Sequence, residues 1–286
     1  MLTIINRIKC NLNLVLLSAA LFSAAAVAET PSAPDLTALV DHSFRSAEDK
    51  ARNKYRHPVE TLNFFGIKPT MSVLEIWPAR GWYTDILGPY LKDQGKLSIA
   101  NFRVDDGTMQ DDRKIFWSRI SEKLSQRILK HKDHFGSIQQ TEFDPPGYMY
   151  LGLTQQYNMV LSFRNAHIWN EQGYLLDVFR AVFDVLKPGG VFGIVEHRAS
   201  RVSEISSSAV EGYLDESYVI AVAEQAGFTL EAKSEVNANP KDTKDYPKGV
   251  YALPPTLAMG AVDRAKYLAI GESDRMTLKF VKAASE

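Results

Sequence analysis

The chain repeats one local pattern, an apolar run of strand length followed by a loop and helical sequence, and this alternation limits the folds open to it. The runs at 71–76, 96–102, 158–163 and 191–196 are short and largely apolar, 137–143 is a more polar strand candidate, and helical or loop-like sequence separates each from the next. Strands that alternate with helices bury their apolar faces as a parallel sheet covered on both sides. The segment 174–186 reads as a helix, and Lys187-Pro188-Gly189-Gly190 stops it and turns the chain into the next apolar run. Two later runs, 229–236 and 276–283, complete a set of seven strands. The expected architecture is α/β: a three-layer, doubly wound, mostly parallel seven-stranded sheet.

Other segments flank this pattern. Leu36, Leu39, Val40, Phe44, Ala47 and Ala51 recur at three- and four-residue spacing, which predicts an amphipathic helix over 35–55. Pro58 ends that pattern or begins the next turn, so an N-terminal helical cap of about 35–65 precedes the sheet. A helix over 82–91 follows the first strand. Late in the chain, 237–273 carries several Pro and Gly residues and one expected helix near 257–268; whether it forms a lid is open.

Residues 1–28 read as a cleavable targeting signal. Arg7 and Lys9 precede an apolar run from Leu12 to Ala26, and the small-residue triplet Ala26-Val27-Ala28 places the expected cut after Ala28. The run is shorter than the ~20 residues of a spanning helix, so no stable membrane insertion of the mature chain is expected. Residues 29–34 form a linker, and 35–286 is expected to be a single domain. The expected location is periplasmic or secreted. Without 1–28 the balance is 31 basic against 34 acidic residues, or −3, which argues against a nucleic-acid partner. Cys10 is the only cysteine, so the mature chain can build neither a disulfide nor a thiolate site. No metal ligand set was recognisable, and the oligomeric state is not encoded legibly.

The run Val73-Leu74-Glu75-Ile76-Trp77-Pro78-Ala79-Arg80-Gly81-Trp82-Tyr83-Thr84 and the junction Leu186-Lys187-Pro188-Gly189-Gly190-Val191-Phe192 carry a family resemblance. Over about 55–282 the chain resembles class I S-adenosylmethionine-dependent methyltransferases, in particular a group of exported proteins described as predicted methyltransferases. The resemblance implies the Rossmann-like methyltransferase fold with an antiparallel seventh strand. It also implies S-adenosylmethionine as cofactor and a small molecule as substrate. Against the family's acid-x-Gly-x-Gly-x-Gly, the chain has Glu75, then Trp77 and Ala79 where the first two glycines belong, and Gly81 in the third place.

The resemblance assigns Glu75 to the cofactor's amino-acid end, Asn101 to the ribose position and Asp144 to the adenine amine, with Asp105 and Asp106 as nearby alternatives to Asn101. Each has a structural reading beside it: Glu75 bonding loop amides, Asn101 capping the strand end, Asp144 initiating a turn. Trp77 either fills part of the cofactor pocket or swings away from it. The end of the fourth strand, Arg164-Asn165-Ala166-His167, is the expected catalytic region, because open α/β sheets place ligands at the C-terminal ends of parallel strands. A histidine's ordinary pKa lies close to neutral, which suits His167 to general-base work, while Asn165 and Arg164 can orient a polar or anionic group. His197, a further catalytic candidate, Arg198 and Tyr55-Arg56-His57 are expected on the same rim, and His131 and His134 read as solvated surface. The alternative to methyl transfer is an exported, non-catalytic ligand-binding protein on the same fold with a degenerate loop. A nicotinamide enzyme ranks last, since Trp77–Gly81 does not supply Gly-x-Gly-x-x-Gly.

Overall fold

The computed structural model describes residues 34–200 and 211–284. The targeting signal and residues 29–33 of the linker lie outside the described residues. Pro34–Glu286 forms one compact unit.

Four helices precede the sheet: α1 (Leu36–Val40), α2 (Ala47–Ala51), α3 (Asn53–Arg56) and α4 (Pro58–Phe65). The single helix expected over 35–55 is therefore broken into three. Asp35 and Ser46 cap α1 and α2 through their side chains, and the intervening residues turn around the buried Arg45, whose guanidinium donates to Val40 O and Asn53 Oδ1. Apolar spacing alone does not register such a cap or ion. Pro58 begins α4, where its missing N–H leaves no bond unmade.

The sheet elements follow as β1 (Ser72–Ile76), α5 (Thr84–Leu91), β2 (Lys96–Asn101), α6 (Asp112–Lys130), α7 (Lys132–Phe135), β3 (Gln139–Glu142), β4 (Tyr157–Phe163), α8 (Ala166–Glu171), α9 (Leu175–Val185) and β5 (Leu186–His197). After them come α10 (Glu216–Gln225), β6 (Phe228–Ser234), a 3₁₀ turn (Gly249–Ala252), α11 (Arg264–Ile270) and β7 (Arg275–Lys282). The strand order is β3-β2-β1-β4-β5-β7-β6. Neighbours from β3 through β5 pair in parallel, while β7 runs antiparallel to both β5 and β6. This is the seven-stranded, mostly parallel sheet expected from the sequence. The late helix lies at 264–270 rather than 257–268.

Alternation along the strands sorts the core onto two faces. Val73, Met159 and Leu161 belong to one apolar cluster with Ile86 and Leu87 of α5, while Leu74 and Val160 belong to the other with Val178, Phe179 and Val182 of α9. Burial on both faces leaves the strand ends as the place for polar chemistry. At the periphery, His134 is not solvated surface. Its ring stacks on Phe44 at 3.9 Å, and burial, with His42 nearby, lowers its pKa to about 4. His131 packs edge-on against the same Phe44 ring.

Candidate functional site

The strand order reverses direction between β1 and β4: the chain proceeds outward from β1 to β2 and β3, then returns to β4 and continues to β5. Such a switch point separates the loops that leave the two strands and opens a crevice at their C-terminal ends. A cleft of about 1010 Å³ occupies that position. Glu75, Trp77 and the loop to Tyr83 form one wall. Arg164, Asn165 and His167 form the opposite wall, and His197, Glu272 and Ser273 close the β5–β7 end. The roof comes from 250–256, including Tyr251, Pro254 and Pro255, so the late insertion covers the strand ends.

The loop after β1 keeps an unusual backbone. Trp77, Ala79 and Gly81 have φ values of 47°, 53° and 84°, so all three positions at which the family pattern has glycine are left-handed. For the two non-glycines this conformation costs roughly 1–2 kcal/mol per residue. At Gly81 a Cβ would lie 2.7 Å from Leu124 Cδ1 and 2.8 Å from Arg127 Nη2, so a larger residue would have to displace those side-chain ends of α6 and take up a left-handed backbone. Gly81 itself does not line the cleft; it lets the chain turn into α5.

Glu75 is 2% exposed and accepts the Thr84 hydroxyl at 2.7 Å. Burial raises its carboxyl to about 8, with the Thr84 bond acting in the opposite direction, so it carries a proton at neutral pH. The Trp77 indole donates to Phe143 O at 2.9 Å and stacks on Phe102, which stacks in turn on Trp117. These rings, with Ile168, form the wall between the large cleft and a second one of about 670 Å³. Trp77 thus neither swings into solvent nor simply plugs a pocket; it partitions two lobes. Asp144 lines the smaller lobe, where Lys114 holds it at 3.0 Å. Asn101 lines neither lobe. Its Oδ1 accepts Phe102 N at 3.0 Å, the strand-end cap, but its buried Nδ2 has no partner among the described residues.

At the β4–β5 end, His167 Nδ1 lies 2.9 Å from Glu196 Oε1. Glu196 is fully buried and also accepts the backbone N–H of His167 at 3.2 Å and of His197 at 2.7 Å. A carboxylate against Nδ1 favours the Nδ1–H tautomer and leaves Nε2 as an acceptor. His197 Nδ1 meets Ser273 Oγ at 2.6 Å. Burial, then the positive charge of Arg164, Arg275 and Arg56 and the neighbouring His167, pushes His197 well below the usual range, so it is neutral. Asn165 donates to Ile76 O at 2.9 Å and ties the β4 end to the β1 loop. His167, Glu196 and His197 place donor atoms within 4.8 Å of one another, a spacing that one metal ion could bridge.

Beyond the histidines lies an ion cluster. Glu272 accepts from Arg52 Nε at 2.7 Å, Arg56 Nε at 3.0 Å and Arg275 Nη1 at 3.2 Å, with Arg164 Nη1 at 4.0 Å. Burial alone would raise its carboxyl, but Arg56, Arg275, Arg164 and Arg52 outweigh that and hold it well below the carboxylate range. Burial lowers Arg56 to about 9 and Arg164 to about 10, each pushed further by neighbouring guanidiniums.

The structure therefore gathers seven of the nominated residues, Glu75, Trp77, Arg164, Asn165, His167, His197 and Arg56, around one cleft. Arg198 belongs elsewhere: it pairs with Glu216, Glu235 and Asp274. His57 starts α4 in a left-handed conformation and does not line the cleft. Sequence reading missed Glu196, Glu272, Arg275, Arg52 and Tyr251. Glu196 alone had a signal, an acid closing the apolar run Val191–Val195.

No protein-family model and no curated relative matches the sequence. Solved structures do match in fold. An S-adenosylmethionine-dependent methyltransferase from Aquifex aeolicus aligns over 81% of this chain and 92% of its own, at 15% identity and TM-score 0.53. The [4+2]-cyclase SpnF aligns over 86% of each chain, at 12% identity and TM-score 0.55. Phosphoethanolamine N-methyltransferase 2 from Haemonchus contortus, solved with S-adenosylmethionine, aligns over 88% of this chain and 61% of its own, at 14% identity and TM-score 0.51. The chain has the fold of class I methyltransferases.

Proposed function

We propose that the protein is an S-adenosylmethionine-dependent methyltransferase acting on a small molecule, exported by its N-terminal signal. The observation that carries the reading is the His167–Glu196 pair, set in the same switch-point cleft as the left-handed loop after β1.

The residues present suit the cofactor. The loop follows a glycine-type path without its glycines, and Phe102, next to the end of β2, lines both lobes beside it. Glu75 would hold the amino-acid end, while Phe102, Trp117 and Asp144 of the smaller lobe would take the adenine. When bound, S-adenosylmethionine supplies an electrophilic methyl group. His167 Nε2 would take the proton that the acceptor's oxygen or nitrogen gives up on methylation. Glu196 fixes the imidazole in the working tautomer and stabilises the charge that develops on it. The roof over 250–256 keeps bulk water from competing as acceptor. Most of the acceleration comes from holding donor and acceptor in line. The cyclase among the structural neighbours is a reminder that this fold also supports other reactions, so the site and not the fold has to decide.

Isothermal titration of the mature protein with S-adenosylmethionine and S-adenosylhomocysteine tests the assignment. Micromolar binding that Glu75→Ala abolishes is the expected result. No heat at millimolar ligand overturns it and leaves a binding protein on this fold. Sequencing the N-terminus of protein recovered from the periplasm or medium tests export, with Glu29 expected first.

A further inference from the structure

We propose that the arginine-lined end of the large cleft binds a carboxylate or phosphate of the acceptor, so that the protein's substrate is an anionic small molecule. This deepens the methyltransferase reading and rests on it for the word acceptor; the anion site itself does not.

Charge balance is the first argument. Arg52, Arg56, Arg164 and Arg275 surround the single carboxylate of Glu272, and the other carboxylate close to Arg164, Glu196, is already engaged by His167 and two backbone amides. Among the described residues, four guanidiniums meet two carboxyl groups there, more cationic groups than acidic ones at a largely buried site. Uncompensated charge in such a place is costly, and an anionic ligand removes the cost.

Unsatisfied donors are the second. Arg56 is 2% exposed and its guanidinium lies 4.6 Å from the Trp82 ring, and the Nη2 atoms of Arg56 and of Arg52 are buried with no hydrogen-bond partner among the described residues. Arg164 keeps its guanidinium one-quarter exposed at the cleft wall, and its approach to Glu272 is 4.0 Å, too long for a hydrogen bond. Its backbone is left-handed, φ 65°, at the turn that leaves β4. A guanidinium offers two parallel N–H groups to a carboxylate or phosphate, the pairing that is missing here.

Position is the third. Arg275 sits opposite His197 in the β5–β7 ladder and Arg164 leaves the end of β4, so these two guanidiniums border the histidines, while Arg56 packs over Trp82 of the loop after β1. A substrate held there by its anionic group presents its remainder to His167 and beneath Tyr251, whose ring lies 6.3 Å from the His167 ring. The same guanidiniums argue against a cation at His167, Glu196 and His197, despite the spacing of those three.

Benzoate, inorganic phosphate and uncharged benzamide titrated calorimetrically into the mature protein, with no donor present, test the anion site. Benzoate or phosphate should bind saturably, benzamide should not, and Arg164→Ala should weaken the anion about 10- to 100-fold, with Arg164→Lys between. Equal binding of benzoate and benzamide, or no effect of Arg164→Ala, overturns the site. Repeating the benzoate titration in saturating S-adenosylhomocysteine separates the two possible sources of the anion. Unchanged or tighter benzoate binding supports an acceptor site; mutual exclusion shows that the arginines serve the donor's own carboxylate and overturns the proposal. Failure of S-adenosylhomocysteine to bind at all, with benzoate still bound, refutes the methyltransferase reading and leaves the anion site standing.

Discussion

Glu272→Gln should destabilise the folded protein by about 3–5 kcal/mol, the range for breaking a buried ion pair from one side. Glu272 is 2% exposed and is the acceptor that Arg52, Arg56 and Arg275 share, so the substitution leaves three guanidiniums facing one neutral amide of nearly the same size. Packing is conserved, while the charge and one of the two accepting oxygens are lost, so the change tests the charge-assisted hydrogen bonds of the cluster and not its packing. For a unit of this length, roughly 2–4 °C per kcal/mol implies a fall in Tm of about 6–20 °C. Thermal and urea unfolding followed by circular dichroism would read it, with the urea slope unchanged if the native surface is intact. The pH dependence follows from the sign of the shift. Because the folded-state carboxyl is held below its ordinary value, its stabilisation is fully present above the unfolded pKa and is lost only as pH falls through the folded one. The gap between wild type and variant should therefore be full at pH 7 and close only in strong acid. A variant within ~1 kcal/mol of wild type at pH 7 would show that solvent screens the cluster and that its excess charge drives nothing.

Glu75 has the opposite sign. Its carboxyl is raised to about 8, so the stability it contributes is complete below about 4.5 and is lost as pH rises through 8; wild type should weaken against Glu75→Gln by roughly 1.4 kcal/mol per pH unit in that window, measured by urea unfolding from pH 5 to 9. His167→Gln and Glu196→Gln should each lower turnover by about 10²–10⁴ while S-adenosylhomocysteine affinity, read by calorimetry, stays within a few-fold; equal loss of binding would place the pair in the fold rather than in catalysis. Trp77→Gly removes the wall between the lobes and relieves a left-handed non-glycine, at about 3–5 kcal/mol of core packing. It should tighten S-adenosylhomocysteine binding, and a weaker complex would show that the indole is itself part of the binding surface.

The sheet was legible because its signal is local. β1, β2, β4, β5 and β7 are largely apolar runs, β6 alternates and β3 is polar, and the seven pair as the alternation of strands and helices implies. What failed was local structure fixed from a distance. The 35–55 segment has the apolar spacing of one helix, yet the buried Arg45 guanidinium under Trp82 and the Ser46 cap break it into three. Likewise His134, set among lysines, is taken out of water by Phe44, ninety positions earlier in the chain.

The site divides along the same line. Arg164, Asn165, His167 and His197 were found because they follow strand ends, and a strand end can be read from its own residues. Glu272 could not be, because its partners Arg52, Arg56 and Arg164 lie more than a hundred positions away and meet it only when β7 enters the sheet between β5 and β6. The loss of two glycines in the first loop gives the reverse case. Glycine is favoured at a left-handed position because it lacks the Cβ penalty, but a penalty of one or two kcal/mol is smaller than the hydrogen bond and three ring contacts that hold Trp77 in place. A degenerate motif therefore does not imply a lost loop: the backbone path is fixed by the packing around it, and what the substitution changes is the shape of the cleft that the path encloses.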